Sequence, residues 1–246
     1  MDQQLFHNIC DEVIGQGQGL MGIGTLSEKT VHSVLKSYCD PNENNHEIKI
    51  EGYVADICNG HEIIEIQTRS FDRLRSKLSV FLNLYPVTIV YPIPYIKWIR
   101  WVNPQTGEIT QPRKSPKKGT PYIIFPELYK IKNFLLKPNL RIKIILLNME
   151  EYRFLDGWSE DKKKGSSKCD RIPTDLIQEI YILESEDYNK LIPESLEDEF
   201  TSKDYKKASG LSTGASTTAV HILNYVGVIE RIGKKGRAYL YSRKAD

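Results

Sequence analysis

The sequence predicts an α/β fold in which two helices, three short strands, a third helix and a buried strand precede a smaller C-terminal unit. Three observations carry that reading. Val31, Val34, Leu35 and Tyr38 recur at helical spacing and are closed by Pro41. Residues 46–68 divide into three short runs: His46 to Glu51 alternates, Tyr53 to Cys58 follows Gly52, and Glu62 to Thr68 follows Asn59-Gly60, a pair suited to a two-residue type I′ turn. After Phe200 the pattern changes to two short helices and a hairpin.

Taken in order, Leu5, Ile9, Val13 and Ile14 place a first helix over Gln3 to Ile14. The glycine-rich break that follows contains Gly17-x-Gly19-x-x-Gly22, a formal match to a dinucleotide fingerprint. It lacks the preceding strand and the β-α-β rhythm that fingerprint needs, so a turn between helices is expected. The second helix runs from near Thr25 to about Tyr38. Ser70 is expected to cap a helix through Leu84, with Phe71, Leu74, Leu78 and Phe81 on one side, and Val87 to Tyr91 reads as a buried strand. Further on, a hairpin is expected around Asn103 to Gly107, a basic loop through Lys118, a helix from about Pro126 to Leu136 and a strand over Arg141 to Leu147. Trp158 to Arg171 has mixed charge and no periodicity, so it reads as loop or linker, and Leu176 to Leu183 is an apolar segment returning to the first domain. Two domains result, 1–193 and 200–246.

Composition narrows the function classes. With 246 residues, 40% hydrophobic and 27% charged, the chain suits one sizeable folded domain plus a small one. A net charge of +2 is too small to argue nucleic-acid binding, so the placement of the basic residues must decide it. The apolar stretch Val80 to Ile99 is broken by Asn83, Pro86, Pro92, Pro94 and Lys97, against a membrane span. The N-terminus carries acids early and no apolar leader, which sets a cytoplasmic expectation with no membrane partner. Cys10, Cys39, Cys58 and Cys169 form no C-x-x-C pair and read as reduced thiols.

The chemistry centres on the Asn59-Gly60 hairpin. A two-residue turn pairs Cys58 with His61, Asp56 with Ile63 and Val54 with Glu65, which makes Asp56 and Glu65 diagonal neighbours on one face, about 7–8 Å apart at the backbone. Such a pair is often only a solvated face. Yet Tyr53-Val-Ala-Asp56, eight residues, Glu65-Ile-Gln67, then a helix and the strand Val87 to Tyr91 together resemble the core of the PD-(D/E)xK nucleases, over about Thr25 to Tyr91. The resemblance implies a restriction-endonuclease-like αβββαβ core with Glu28, Asp56, Glu65 and Gln67 in the catalytic positions. Asp56 and Glu65 would hold Mg²⁺ or Mn²⁺, and Gln67 would orient the attacking water. The family usually has lysine where Gln67 stands. Some restriction endonucleases resembling this pattern carry Glu-x-Gln, so both an active nuclease and an inactive descendant stay open. Thr25-x-x-Glu28 is equally a helix capping box, and His32 and Lys36, at helical spacing from Glu28, face phosphate or solvent.

Basic residues suggest where nucleic acid would lie. Arg69, Arg73 and Lys77 recur every four residues, a stripe suited to a phosphate backbone or to solvent. A second basic group, Arg113, Lys114, Lys117 and Lys118, lies beside Trp98 and Trp101 in the sequence. The last 47 residues, above all LNYVGVIERIGKKGRAYLYSR, resemble a winged helix. That resemblance implies helices over Ser202 to Ala208 and Gly214 to Tyr225, then strands over Val228 to Ile232 and Arg237 to Ser242, with Ser216, Thr217, Lys234, Lys235 and Arg237 against DNA. The expected function is a metal-dependent DNA nuclease targeted by a winged helix. The alternative is a noncatalytic DNA-binding regulator on a decayed nuclease core. Duplex DNA is the expected partner; RNA recognition is not separated from it by sequence, and a homodimer stays open.

Overall fold

The computed structural model describes residues 2–16, 29–156 and 168–244. The Gly17–Gly22 fingerprint, Glu28 and the start of the second expected helix lie outside them. Two helices, α1 (Gln3–Gln16) and α2 (Lys29–Cys39), precede a meander of β1 (His46–Ile50), β2 (Tyr53–Cys58) and β3 (Ile63–Ile66). A 3-10 turn, Phe71–Leu74, leads into α3 (Arg75–Phe81), so the single helix expected to Leu84 is split and shorter. Ser70 does cap it, accepting from the Asp72 N–H. There follow β4 (Val87–Val102), β5 (Arg113–Lys114), α4 (Phe125–Lys130), β6 (Leu140–Phe154) and β7 (Lys168–Ile182). Residues 168–171, expected as loop, are strand.

The main sheet runs β1-β2-β3-β4-β6-β7, with β5 added along β4. Its centre is parallel, β3 to β4 and β4 to β6, while the remaining pairs are antiparallel. The parallel links arise because α3 and α4 carry the chain back across the sheet, as parallel strands require. Helices therefore cover both faces. Ile64, Val90, Ile145 and Leu147 pack with Phe6, Val34 and Leu35 of α1 and α2, whereas Ile63, Ile89, Ile144 and Leu146 pack with Leu78, Phe81, Phe125 and Leu128 on the other side. This explains why these strands read as continuous apolar runs.

Strand β4 is far longer than Val87 to Tyr91 and runs through Pro92 and Pro94. The Gln67 N–H donates to the Val90 carbonyl, so Val90 and the residues in phase with it face the β3 side. β3 ends at Ile66, beside Val90. The two prolines, which have no N–H, thus stand where no strand remains to receive one.

The C-terminal residues form β8 (Glu199–Thr201), α5 (Ser202–Ser209), α6 (Thr213–Val226), β9 (Ile229–Lys235) and β10 (Ala238–Arg243), with sheet order β8-β10-β9. A reciprocal capping box between Thr201 and Asp204 starts α5, and left-handed Gly210 and Gly227 end the two helices. Tyr205, Leu211, Ala219, Ile222 and Leu223 belong to the same apolar cluster as Phe125 and Leu128, and Tyr205 donates to the Leu191 carbonyl at 2.6 Å. The residues from 199 onward thus share their core with one face of the main sheet.

Candidate active site

The hairpin that positions the carboxylates differs from expectation by one residue. The Asn59 N–H donates to the Glu62 carbonyl, so the two central residues are Gly60 and His61, with Gly60 alone at positive φ (+85°). That is the demand of a II′ turn, with glycine at the first central position. The Asn59 side chain is occupied in closing the loop, accepting from the N–H groups of His61 and Glu62 at 3.0 Å each. Cys58 now pairs with Ile63 and Ile57 with Ile64. The same register puts Asp56 directly opposite Glu65 rather than diagonal to it.

At that point the strands part. Ala55 packs on the α3 side and Ile57 on the α2 side, so the alternation of β2 changes phase across Asp56. On the neighbouring strand, Glu47 holds a positive φ of 54° between the pairs His46–Ile57 and Ile48–Ala55. Side chains replace the missing ladder. The Asp56 carboxylate accepts the Ile66 N–H at 2.7 Å, and the Glu65 carboxylate accepts the Asp56 N–H at 3.4 Å. The shared sheet face expected from simple alternation is thereby replaced by convergence in the gap between β2 and β3.

Each carboxylate has a basic neighbour from a different helical layer. His32 of α2 approaches Asp56, Nε2 to Oδ2, at 3.2 Å. Lys77 of α3 reaches both oxygens of Glu65, at 3.0 and 2.8 Å. Glu65 is only 3% exposed. Burial, and then the nearby Asp56 charge, push its carboxyl up to about 7 against the opposing pull of Lys77. For Asp56 burial also pulls upward, but the His32 contact, the Ile66 N–H and Lys77 outweigh it and hold the carboxyl below its ordinary value. One site thus holds a buried and a half-buried carboxyl with separated proton affinities, a lysine and a histidine.

Several expected roles move. Gln67 Nε2 donates to the Ser70 carbonyl at 2.5 Å, which commits its amide to the loop after β3 instead of to the carboxylates. Arg69, Arg73 and Lys77 form no common stripe, because they lie on a loop, a 3-10 turn and α3; Lys77 turns inward to Glu65 while Arg69 and Arg73 are exposed. Lys36 pairs with Glu47. Ser216 is fully buried, its hydroxyl donating to the Ser212 carbonyl at 2.9 Å, so it is closed to an external ligand. Thr217, Lys234, Lys235 and Arg237 are exposed. His221 and Tyr225 of α6 meet Lys132, which lies 3.0 Å from His221 Nε2 and 4.3 Å above the Tyr225 ring.

Sequence reasoning missed Lys77 and His32 as members of the site. For Lys77 the one signal was its place a helical turn after Arg73, and this pointed toward solvent. Among the described residues, no group of three or more His, Cys, Asp or Glu side chains is arranged to hold a metal ion. No described helix is long and apolar enough to cross a membrane.

A mixed sheet between helical layers, with paired carboxylates where two strands separate, defines an α/β protein with a polar site at its strand ends. The chain belongs to the family described as Domain of unknown function (DUF8091), whose model matches residues 29–183. That span includes His32, Asp56, Glu65 and Lys77 and stops short of the C-terminal helices. An uncharacterized protein of Treponema pallidum (strain Nichols) is 30% identical over 149 residues, covering 60% of this chain and 57% of the relative. The match therefore spans little more than half of that relative's length. No solved structure matches.

Proposed function

We propose that this chain is a metal-dependent nuclease that hydrolyses phosphodiester bonds of DNA, with a restriction-endonuclease-like core and a winged-helix C-terminal unit. The observation that carries the reading is the meeting of Asp56, Glu65 and Lys77 in the gap between β2 and β3. It supplies the lysine that this chain lacks at Gln67, from α3 instead of the end of β3. The donor set fits a hard divalent cation: a buried carboxylate, Glu65, meets a half-buried one, Asp56, and the proton affinity of Glu65 is raised by burial and by Asp56, which positive charge relieves. Mg²⁺ or Mn²⁺ held by Asp56 and Glu65 would supply Lewis-acid polarisation of a phosphate oxygen.

Within the chain, the Ile66 N–H fixes one oxygen of Asp56, and Lys77 holds Glu65 while offering an ammonium to the attacking water or the phosphate. His32 of α2 reaches the same Asp56 oxygen, Oδ2, at 3.2 Å. The C-terminal unit supports the winged-helix reading through its two helices and its exposed hairpin, where Lys234, Lys235 and Arg237 would meet phosphate. One observation favours the alternative of a noncatalytic DNA-binding regulator: both carboxylates already have basic neighbours.

Incubating the full chain with plasmid, linear duplex, single-stranded DNA and RNA, in Mg²⁺ or Mn²⁺, decides between them. Metal-dependent cleavage is expected, abolished in Asp56→Ala and Glu65→Ala. Cleavage at the wild-type rate by both variants would reject the site, and metal-insensitive duplex binding without cleavage would favour the regulator.

A further inference from the structure

A second charged cluster lies along the same sheet, beyond the end of β3. The side chain of Glu151 on β6 is fully buried and faces three cations: Lys97 of β4 at 2.8 Å, Arg153 of β6 at 2.6 Å and Arg171 of β7 at 3.3 Å. Strand register puts them on one face. Ile99, Glu151 and Arg171 form one cross-strand row, which Arg113 of β5 extends, while Lys97 and Arg153 lie two residues away along their own strands. Three cations thus meet one fully buried carboxylate, and the Asp170 carboxylate, which accepts the Arg171 N–H at 2.7 Å, also feels the Arg171 charge, so cations outnumber carboxylates in this cluster by one. Lys97, Arg153 and Arg171 keep 21%, 25% and 21% of their side chains exposed. The excess positive charge therefore reaches the surface from a rigid base.

We infer that this face of β5, β4, β6 and β7 binds the phosphodiester backbone of duplex DNA and leads it to Asp56 and Glu65. Arg171 lines a small cavity with Val31 of α2 and Thr68 of the loop after β3, and His32 and Gln67 are their chain neighbours. At its outer edge β5 presents the exposed Arg113 on this face. Four strands at roughly 4.8 Å spacing span about 14 Å. That is about the axial rise of four nucleotides of one strand at ~3.4 Å each, which suits a polyanion better than a single phosphate.

This inference rests on the nuclease reading for its choice of DNA, but binding and cleavage test the two separately. Affinity of the full chain for a labelled random duplex is measured without divalent cation across a potassium chloride series. Arg113→Gln, on an exposed two-residue strand, is expected to lower the slope of log affinity against log salt by nearly 1, at ~0.9 per lost phosphate contact. Lys97→Gln with Arg153→Gln and Glu151→Gln removes the inner charges without stranding the carboxylate and is expected to weaken binding at least tenfold. Glu151→Gln alone, checked for folding by its melt, is expected to bind as tightly as wild type or more tightly. Wild-type affinity and salt slope in Arg113→Gln overturn the proposal, as does weaker binding by folded Glu151→Gln. Equal sensitivity with duplex RNA bound in preference would overturn the choice of DNA. Loss of cleavage in Asp56→Ala with binding retained leaves this surface standing and bears only on the catalytic reading.

Discussion

Lys77 and Gln67 divide between them a role that the sequence pattern would give to one residue. Lys77 lies in contact with both Glu65 oxygens, while Gln67 is tied to the Ser70 carbonyl. Lys77→Ala is therefore expected to lower the cleavage rate by about 10²–10⁴, the usual contribution of a positioned proton-transfer group. Gln67→Ala should change it much less, and the reverse order in single-turnover kinetics would return the role to Gln67. Glu151 gives a second residue-scale prediction. Despite burial, Lys97 and Arg153 hold its carboxyl down at about 2, against 4.5 for an unperturbed glutamate. The folded state therefore takes up this proton later than the unfolded chain as pH falls. Its contribution, on the order of 3 kcal/mol, is complete above about pH 5 and lost progressively toward pH 2. In denaturant titrations, the stability gap between wild type and Glu151→Gln should narrow over that window; a gap independent of pH would contradict the assignment. Burial pushes Cys10 up to about 12 and Cys39 and Cys169 up to about 11, so all three should resist alkylation in the native state.

Among the elements, β4 is the one whose extent was least visible. Its continuation past Pro92 depends on β3 stopping at Ile66 and on β6 running alongside as far as Phe154. Gly119 secures this extension from outside, its N–H donating to the Tyr95 carbonyl. A Cβ at position 119 would lie 2.0 Å from the Pro94 carbonyl oxygen, which is backbone and cannot rotate away. Gly119→Ala should thus destabilise the protein by about 1–3 kcal/mol, as overpacking does. Differential scanning calorimetry reads this directly, and an unchanged Tm would show that the loop is free to retreat. The Gly60-His61 turn is legible in outline only. Both Asn59-Gly60 and Gly60-His61 make two-residue loops, and the Asn59 side chain, bonded to two N–H groups, selects the second. The one-residue slide moves the paired registry by two, so side-chain parity survives while Asp56 and Glu65 become directly opposed.

At the scale of the whole molecule, the boundary expected near Pro193 to Glu199 marks a change of local pattern more than a break in the core. Tyr205 lies 6.1 Å from Phe125, ring centre to ring centre, and is fully buried with Phe200, Ile222 and Leu223 in the cluster that includes α4. Deleting residues 199–246 would uncover Phe125 and Leu128 and remove the partners of the apolar surface beneath them. The shortened chain should lose its cooperative melt or become protease-sensitive within residues 121–135. A cooperative transition at the wild-type Tm would show that the C-terminal unit contributes no stability to the sheet. The same contact constrains α6, because His221 and Tyr225 are engaged by Lys132 and leave Thr217 and the hairpin as the parts turned outward.

What the sequence determined was local. Apolar periodicity gave α1, α2, the short strands and both C-terminal helices, since these patterns depend on which side of one element is buried. It also singled out Asp56 and Glu65, because the hairpin holding them is closed by residues adjacent in the chain. The tertiary structure decided what depends on long-range approach: that Lys77 folds inward from α3, that His32 arrives from the opposite layer, and that β2 and β3 part at the carboxylates. It likewise gathered Lys97, Glu151, Arg153 and Arg171 from three strands. A charge's partner is set by strand order and helix packing, which bring Lys77 to Glu65 across 12 positions and Lys97 to Glu151 across 54. For Lys77 or Glu151, the local pattern is the same whether the side chain faces water or a buried opposite charge.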